Sequence, residues 1–107
     1  MKQITPSELA EWLADDGREK PFLLDVREPW EFEKARIAGA ELVPMRELPG
    51  RLHEINATKP IVAICHHGGR SFQVAMFLEK NGYNDVHNLA GGVDAWSRSV
   101  DPAVPLY

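Results

Sequence analysis

The run Ile61–Cys65 (IVAIC) limits the fold more than any other stretch of this chain. It is continuous, apolar and partly β-branched, which suits a buried strand. It is far too short to cross a membrane. The residues after it are HHGG, and from about Arg70 the pattern RSFQVAMFLEK reads as a helix that stops at Gly82. A buried strand that turns through glycines into a helix is the building unit of a parallel sheet.

The same unit recurs along the chain. A weak first strand falls at Gln3–Ile4, followed by TPSELAEWLAD. That helix opens with a capping box, with Thr5 as N-cap, Pro6 at the first helical position and Glu8 three residues on. Leu9, Trp12 and Leu13 share one face, and Gly17 ends the unit. FLLDV (Phe22–Val26) reads as a second buried strand, and Pro29 opens a short helix, PWEFEKA, punctuated by Gly39. ELVP is a short strand closed by Pro44, and MRELPGRLHEI is a helix interrupted at Pro49–Gly50. DVHNL is the last strand and GGVDAWSRSV the last helix, with Gly91–Gly92 in the turn between them. The tail DPAVPLY is expected to lie extended across the surface.

The expected fold is therefore α/β, with a central, mostly parallel sheet of about five strands and helices on both faces. No repeat, low-complexity tract or linker divides the chain, so residues 1–107 are read as one domain. In such sheets ligands sit beyond the carboxyl ends of the strands, and Cys65 lies at one of those ends. Trp12, Trp30 and Trp96 are expected in the core or at its edge.

Twelve basic and 16 acidic residues leave a net charge of −4. An acidic surface argues against a general nucleic-acid binder and against an anionic-membrane binder. Neither nucleic acid nor membrane is an expected partner. Cys65 is the only cysteine, so an internal disulfide is ruled out and a reducing compartment is the natural setting. The opening residues have no signal-peptide pattern, and the expected location is cytoplasmic.

The chemistry concentrates in CHHGGRS, Cys65 to Ser71. Glycines let successive N–H groups curl inward, and a helix N-terminus adds free donors and a positive dipole end. A thiol in such an anion cradle ionises more readily than a free one. Arg70, His66 and His67 push the same way where their charges are near. The cradle suits attack on an electrophile that itself carries anionic oxygens. A lone cysteine also packs as a small buried hydrophobe, and two loop histidines also occur without chemistry. As metal ligands Cys65, His66 and His67 are adjacent rather than spaced, while His53 and His87 lie in other elements, so no metal is expected. Asp25, Arg27 and Glu31 form a charged cluster at the end of the second strand, where buried ions are usually paired. Glu28, Glu31 and Glu33 otherwise read as a solvated face.

Taken in order, LLDVREPWEF with IAGAELVP, the loop CHHGGRS, DVHNLAGGVDAW and the closing VDPAVP resemble the single-domain rhodaneses, the thiosulfate sulfurtransferases. The likeness extends over nearly the whole chain and implies a rhodanese-like domain. The spacing from Cys65 to Arg70 is C-x4-R. The related dual-specificity phosphatases carry one residue more, so a phosphatase or arsenate reductase is disfavoured, and no second, resolving cysteine is present. Where the family often has Gly-His before its I-x-GA segment, this chain has Ala35–Arg36.

The resemblance implies a sulfurtransferase with Cys65 and Arg70 as catalytic residues. His66, His67, Gly68, Gly69 and Ser71 would bind the substrate, and Asp25 and Arg27 would brace the mouth of the site. Close packing of Gly91–Gly92 on the active loop belongs to the same picture. No cofactor is implied. The partners would be a small sulfur donor such as thiosulfate and a thiol or cyanide acceptor, with a protein acceptor as a further candidate. A protein-to-protein persulfide carrier, or a redox-sensing thiol that relies on glutathione, remains open on these residues.

Overall fold

In the computed structural model, which describes residues 1–107, β1 (Lys2–Ile4), β2 (Phe22–Asp25), β3 (Glu41–Leu42), β4 (Ile61–Ile64) and β5 (Val86–Leu89) form one sheet. Every pairing is parallel, and the strand order is β1-β5-β4-β2-β3. Helices fill the connections: α1 (Pro6–Ala14), α2 (Pro29–Lys34), α3 (Leu48–Arg51), α4 (Gly69–Lys80) and α5 (Gly92–Ser99). No helix is long and apolar enough to cross a membrane.

Side-chain alternation along the central strands splits the core into two layers. Leu24, Ile61, Ala63 and Val86 face one layer with Val74, Ala75 and Leu78 of α4. Leu23, Val62, Ile64 and Leu89 face the other with Leu9 and Trp12 of α1 and Val93 and Trp96 of α5. Both faces of β4 are thus buried, which is why its sequence is an unbroken apolar run rather than an alternating one. The capping box of α1 forms as the sequence predicts: Glu8 N–H donates to Thr5 Oγ1 at 3.1 Å and Thr5 N–H to Glu8 Oε1 at 2.9 Å. The helix expected over this stretch is split, but not at Pro49–Gly50: both lie inside α3, a single turn in which a proline near the N-terminus is tolerated, and 3₁₀ turns at Met45–Glu47 and Leu52–Glu54 flank it.

The order of strands places the site. The chain leaves β2 toward β3 and leaves β4 toward β5, in opposite directions across the sheet. The loops after β2 and β4 therefore diverge, and a crevice opens between them at the carboxyl edge. Residues 26–28 and 65–68 lie on either side of that crevice.

Gly92 fixes how closely α5 can approach. Its φ is +62°, and a Cβ there would overlap the carbonyl oxygens of Cys65 and His66. Gly50, by contrast, has open space around its Cβ position. Gly92→Ala is expected to cost about 2 kcal/mol or more of stability, and Gly50→Ala to be neutral or stabilising by about 0.5–1 kcal/mol. Urea unfolding midpoints of the two variants measure the contrast.

Candidate active site

The loop after β4 is shaped by what its carbonyls do. Val93 N–H donates to the Cys65 carbonyl at 2.9 Å and Asp94 N–H to the His66 carbonyl at 3.1 Å. These are orphan donors of the first turn of α5, so each side satisfies the other. Because a trans peptide points its N–H opposite to its C=O, the N–H groups of His66 and His67 must face away from α5. Gly68 follows at φ +101°, a conformation that favours glycine, and a Cβ there would press on Gly91 N and Leu89 O. Its N–H points at Cys65 Sγ, 3.1 Å away. The N–H groups of His66, His67, Gly69, Arg70 and Ser71 have no acceptor in the protein. The loop and the first turn of α4 thus present unpaired donors around the sulfur, the arrangement that binds anions at helix N-termini.

Cys65 is 1% exposed and sits at the floor of this ring of donors. Ser71 Oγ lies 3.3 Å from its sulfur and also within hydrogen-bond distance of Asn88 Oδ1. Asn88 is held by its amide nitrogen, which donates to Gln3 Oε1 at 3.0 Å and to the Gly68 carbonyl at 3.1 Å. Its oxygen is thereby turned to Ser71. Asn88 was not among the residues expected at the site; as an asparagine inside a short strand with both faces covered, it carries the only signal that could have marked it.

Arg70 does not stand alone over the loop. Its Nη1 and Nη2 donate to Glu31 Oε1 and Oε2 at 2.7 and 2.9 Å, a bidentate pair. Glu31 is 4% exposed, so it does not belong to a solvated face with Glu28 and Glu33. Six residues of α2 are too few to show which face is inward. Arg70's hydrogen bonds hold the Glu31 carboxyl down at about 2, against burial, with help from the Glu28 N–H and the Tyr107 hydroxyl. Glu31's hydrogen bonds, opposed by burial and aided by the Glu31 charge, raise Arg70 in turn.

Arg27 is fully buried beneath them. Nε and Nη2 donate to Asp25 at 2.9 and 2.7 Å, Nη2 to the Ala35 carbonyl at 2.6 Å, and Nη1 to the Glu31 carbonyl at 3.3 Å and to Tyr107 Oη at 2.7 Å. Burial would lower its affinity for the proton, but the hydrogen bonds and charge of Asp25, with Tyr107, outweigh that and raise it. Asp25 and Arg27 do gather with Glu31, but the cluster is closed by a residue far away in sequence. Ala35 is buried, whereas Arg36 is exposed with its guanidinium 4.9 Å from the centre of the Phe32 ring.

That residue is Tyr107. The tail does not simply lie across the surface. It turns the Tyr107 ring onto His66, with centroids 3.9 Å apart and planes 10° from parallel. His67 packs on His66 at 3.9 Å, and Trp30 meets the Tyr107 ring edge-on at 5.9 Å. Trp30 is 61% exposed, not in the core, while Trp12 and Trp96 are buried as expected. Burial, and then the neighbouring His67, lower His66, against the opposing charges of Asp94 and Glu31. No single residue of DPAVPLY signals this placement.

The histidines do have a neighbour that could complete a metal set. Ligand atoms of His66, His67 and Asp94 lie within 4.8 Å of one another. Donors held at about 2.0–2.1 Å around a tetrahedral ion lie closer together than that limit, so the set would have to contract to bind one. Asp94 meanwhile accepts from Arg98 Nε at 3.0 Å.

The Glu31–Arg70 pair carries a pH signature. The native carboxyl, at about 2, lies below its ordinary 4.5. Its contribution to stability is therefore complete above about 4.5 and is lost as pH falls through 2. Urea unfolding from pH 7 to 2.5 is expected to show a stability gap between wild type and Glu31→Gln that is constant near neutrality and shrinks below pH 4.5. A gap that does not change with pH contradicts the pairing.

The family described as Rhodanese-like domain matches residues 5–99. A "Sulfurtransferase" of Allochromatium vinosum is 36% identical over 104 residues, covering 97% of this chain and 95% of that one. A "Rhodanese-like/PpiC domain-containing protein 12, chloroplastic" of Arabidopsis thaliana is 40% identical over 89 residues, but this chain spans only 30% of its length. The crystal structure of a rhodanese-like domain protein from Staphylococcus aureus superposes with a TM-score of 0.85 at 33% identity, covering 100% of this chain and 99% of that one.

Proposed function

The chain belongs to the rhodanese-like domain family, and on that premise we propose that it is a sulfurtransferase that moves a sulfane sulfur from thiosulfate to a thiol or cyanide through a persulfide on Cys65. The observation that carries this reading is the Cys65 sulfur at the floor of a loop whose backbone donors have no protein acceptor. A sulfonate group carries three oxygens that such donors can hold.

In the first half-reaction the Cys65 thiolate attacks the outer sulfur of thiosulfate. The new S–S bond takes the thiolate's electron pair, and the bond between the two thiosulfate sulfurs breaks with its electrons leaving on sulfite. The N–H groups of residues 66–71 hold the departing oxygens and then the terminal sulfur of the persulfide. They are fixed before the reaction by α5 and α4, so their dipoles need no reorganisation as charge shifts. Arg70 adds a fixed positive charge beside the loop, since its alignment is set by Glu31. In the second half-reaction an incoming thiolate or cyanide attacks the terminal sulfur and returns Cys65 as thiolate. The result is two-step covalent transfer with ping-pong kinetics. No residue in this scheme requires a cofactor. A reducing compartment such as the cytoplasm keeps the thiol available.

A second reading, a carrier that exchanges persulfide sulfur between proteins, is favoured by one feature. Trp30 and Leu106 are large apolar side chains left 61% and 50% exposed, and Trp30 touches Tyr107 at the site. Such a rim suits a protein partner.

Intact mass after incubation with thiosulfate decides between them. Wild type is expected to gain one sulfur atom and Cys65→Ser none, and cyanide is expected to remove the added sulfur. A folded wild type that gains no sulfur from thiosulfate overturns the enzyme reading in favour of the carrier. Arg70→Ala is expected to lower kcat/KM for thiosulfate roughly tenfold or more. Because it strands Glu31 in a buried position, Arg70→Ala/Glu31→Gln is to be measured beside it. An unchanged kcat/KM in both removes Arg70 from the site.

A further inference from the structure

Four donors meet the two oxygens of Glu31. Oε1 accepts from Arg70 Nη1 at 2.7 Å and from the Glu28 N–H at 3.0 Å, and Oε2 from Arg70 Nη2 at 2.9 Å and from the Tyr107 hydroxyl at 2.8 Å. The Tyr107 hydroxyl in turn accepts from Arg27 Nη1 at 2.7 Å. An arginine only donates, so the direction of the chain is fixed: Arg27 to Tyr107 to Glu31, with Arg70 closing on Glu31 from the other side. Burial first, with Glu31 adding and Arg27 opposing, keeps the phenol protonated up to about 12, so it remains a donor throughout the useful pH range.

We propose that Tyr107 is a positioning residue of the active loop: its hydroxyl orients Glu31 and so aims the Arg70 charge at the anion bound over Cys65, while its ring steadies His66. The inference deepens the sulfurtransferase reading and rests on the same site. The physical reason is the plane of the Glu31 carboxylate. A bidentate pair transmits the orientation of one plane to the other. Without the phenol, Oε2 keeps only the Arg70 Nη2 donor, and the carboxylate can turn about its last bond and take the guanidinium with it. The link from Arg27 is lost at the same time, so the loop cation is no longer tied to the buried ion pair at the end of β2. The stacked ring sets a second restraint. His66 is the residue after the nucleophile, and a ring 3.9 Å away with planes 10° from parallel opposes its movement into the crevice.

The test uses two small alkylating reagents of the same reaction, anionic iodoacetate and neutral iodoacetamide. In each, the Cys65 sulfur displaces iodide at a CH₂ group. The ratio of their rate constants reads the positive potential at the sulfur and cancels general changes in accessibility. It is measured by intact mass on the full chain in four forms: wild type, Tyr107→Phe, Arg70→Ala and the double variant. Tyr107→Phe keeps the stacking ring and removes only the hydroxyl. It is expected to lower the iodoacetate-to-iodoacetamide ratio roughly three- to tenfold. Arg70→Ala is expected to lower it at least as much, and adding Tyr107→Phe to Arg70→Ala is expected to change it no further, because the tyrosine acts through the arginine. An unchanged ratio in Tyr107→Phe, an equal slowing of both reagents, or a full second loss in the double variant overturns the proposal. The readout does not depend on thiosulfate, so failure to form a persulfide would count against the enzyme reading while the ratio still decides the role of Tyr107. Tyr107→Leu, which keeps an apolar side chain but loses the stacking ring, is expected to lower the ratio as Tyr107→Phe does. If only Tyr107→Leu lowers it, the hydroxyl is not the positioning group.

Discussion

Arg27 has no contact with water, and a guanidinium carries five N–H donors that must be paired if it is to stay inside. Every one of them finds an acceptor: Asp25 takes two, and the Ala35 carbonyl, the Glu31 carbonyl and the Tyr107 hydroxyl take one each. Those acceptors come from the end of β2, from α2 and the residue after it, and from the last residue of the tail. Three segments that also meet in one apolar cluster, through Leu23, Ala35 and Val104, are therefore tied together at the site by the cost of leaving one cation unpaired. Removing the cation would leave Asp25 buried without its partner, which is generally worse than never having had the pair. The wall of the crevice opposite the Cys65 loop is built on this arrangement.

The facing wall is held by a different force. There the carbonyls of Cys65 and His66 meet the first free N–H groups of α5, and the absence of a side chain at Gly92 allows the approach. One wall is thus fixed by charge and the other by backbone dipoles. The Glu31–Arg70 pair joins them across the crevice. Neither wall relies on the side chains of His66 or His67 to shape the ring of donors, so the two rings are left to pack on one another, and His66 on Tyr107.

Much of this was legible in the sequence because it rests on local rules. The apolar run before Cys65 marks a strand covered on both faces, TPSE marks the start of α1, and Gly68 in the loop and Gly91–Gly92 before α5 mark positive φ angles. The α/β fold follows from that alternation, and the family follows from the order of motifs. What stayed hidden was set by contacts between distant residues. Glu31 reads like its neighbours Glu28 and Glu33 until Arg70, 39 positions on, claims it. Tyr107 lies 76 positions from Glu31 and 80 from Arg27, in a proline-containing tail with no periodicity to reveal a buried face. Residue type places Trp30 in the core or at its edge, but it tops a helix too short to bury it.

The Ser71 hydroxyl has one hydrogen and two claimants, Asn88 Oδ1 and Cys65 Sγ. While the sulfur carries a proton, that proton can point to Ser71 Oγ and the serine hydrogen can stay with Asn88. When the sulfur is negative, the Gly68 N–H still points at it, and the serine hydrogen stays with Asn88 Oδ1, which has no other donor. No heavy atom has to move. The pocket floor can therefore carry a neutral or an anionic sulfur without rearranging, and on the proposed sulfurtransferase reading one rigid loop would serve both halves of the transfer.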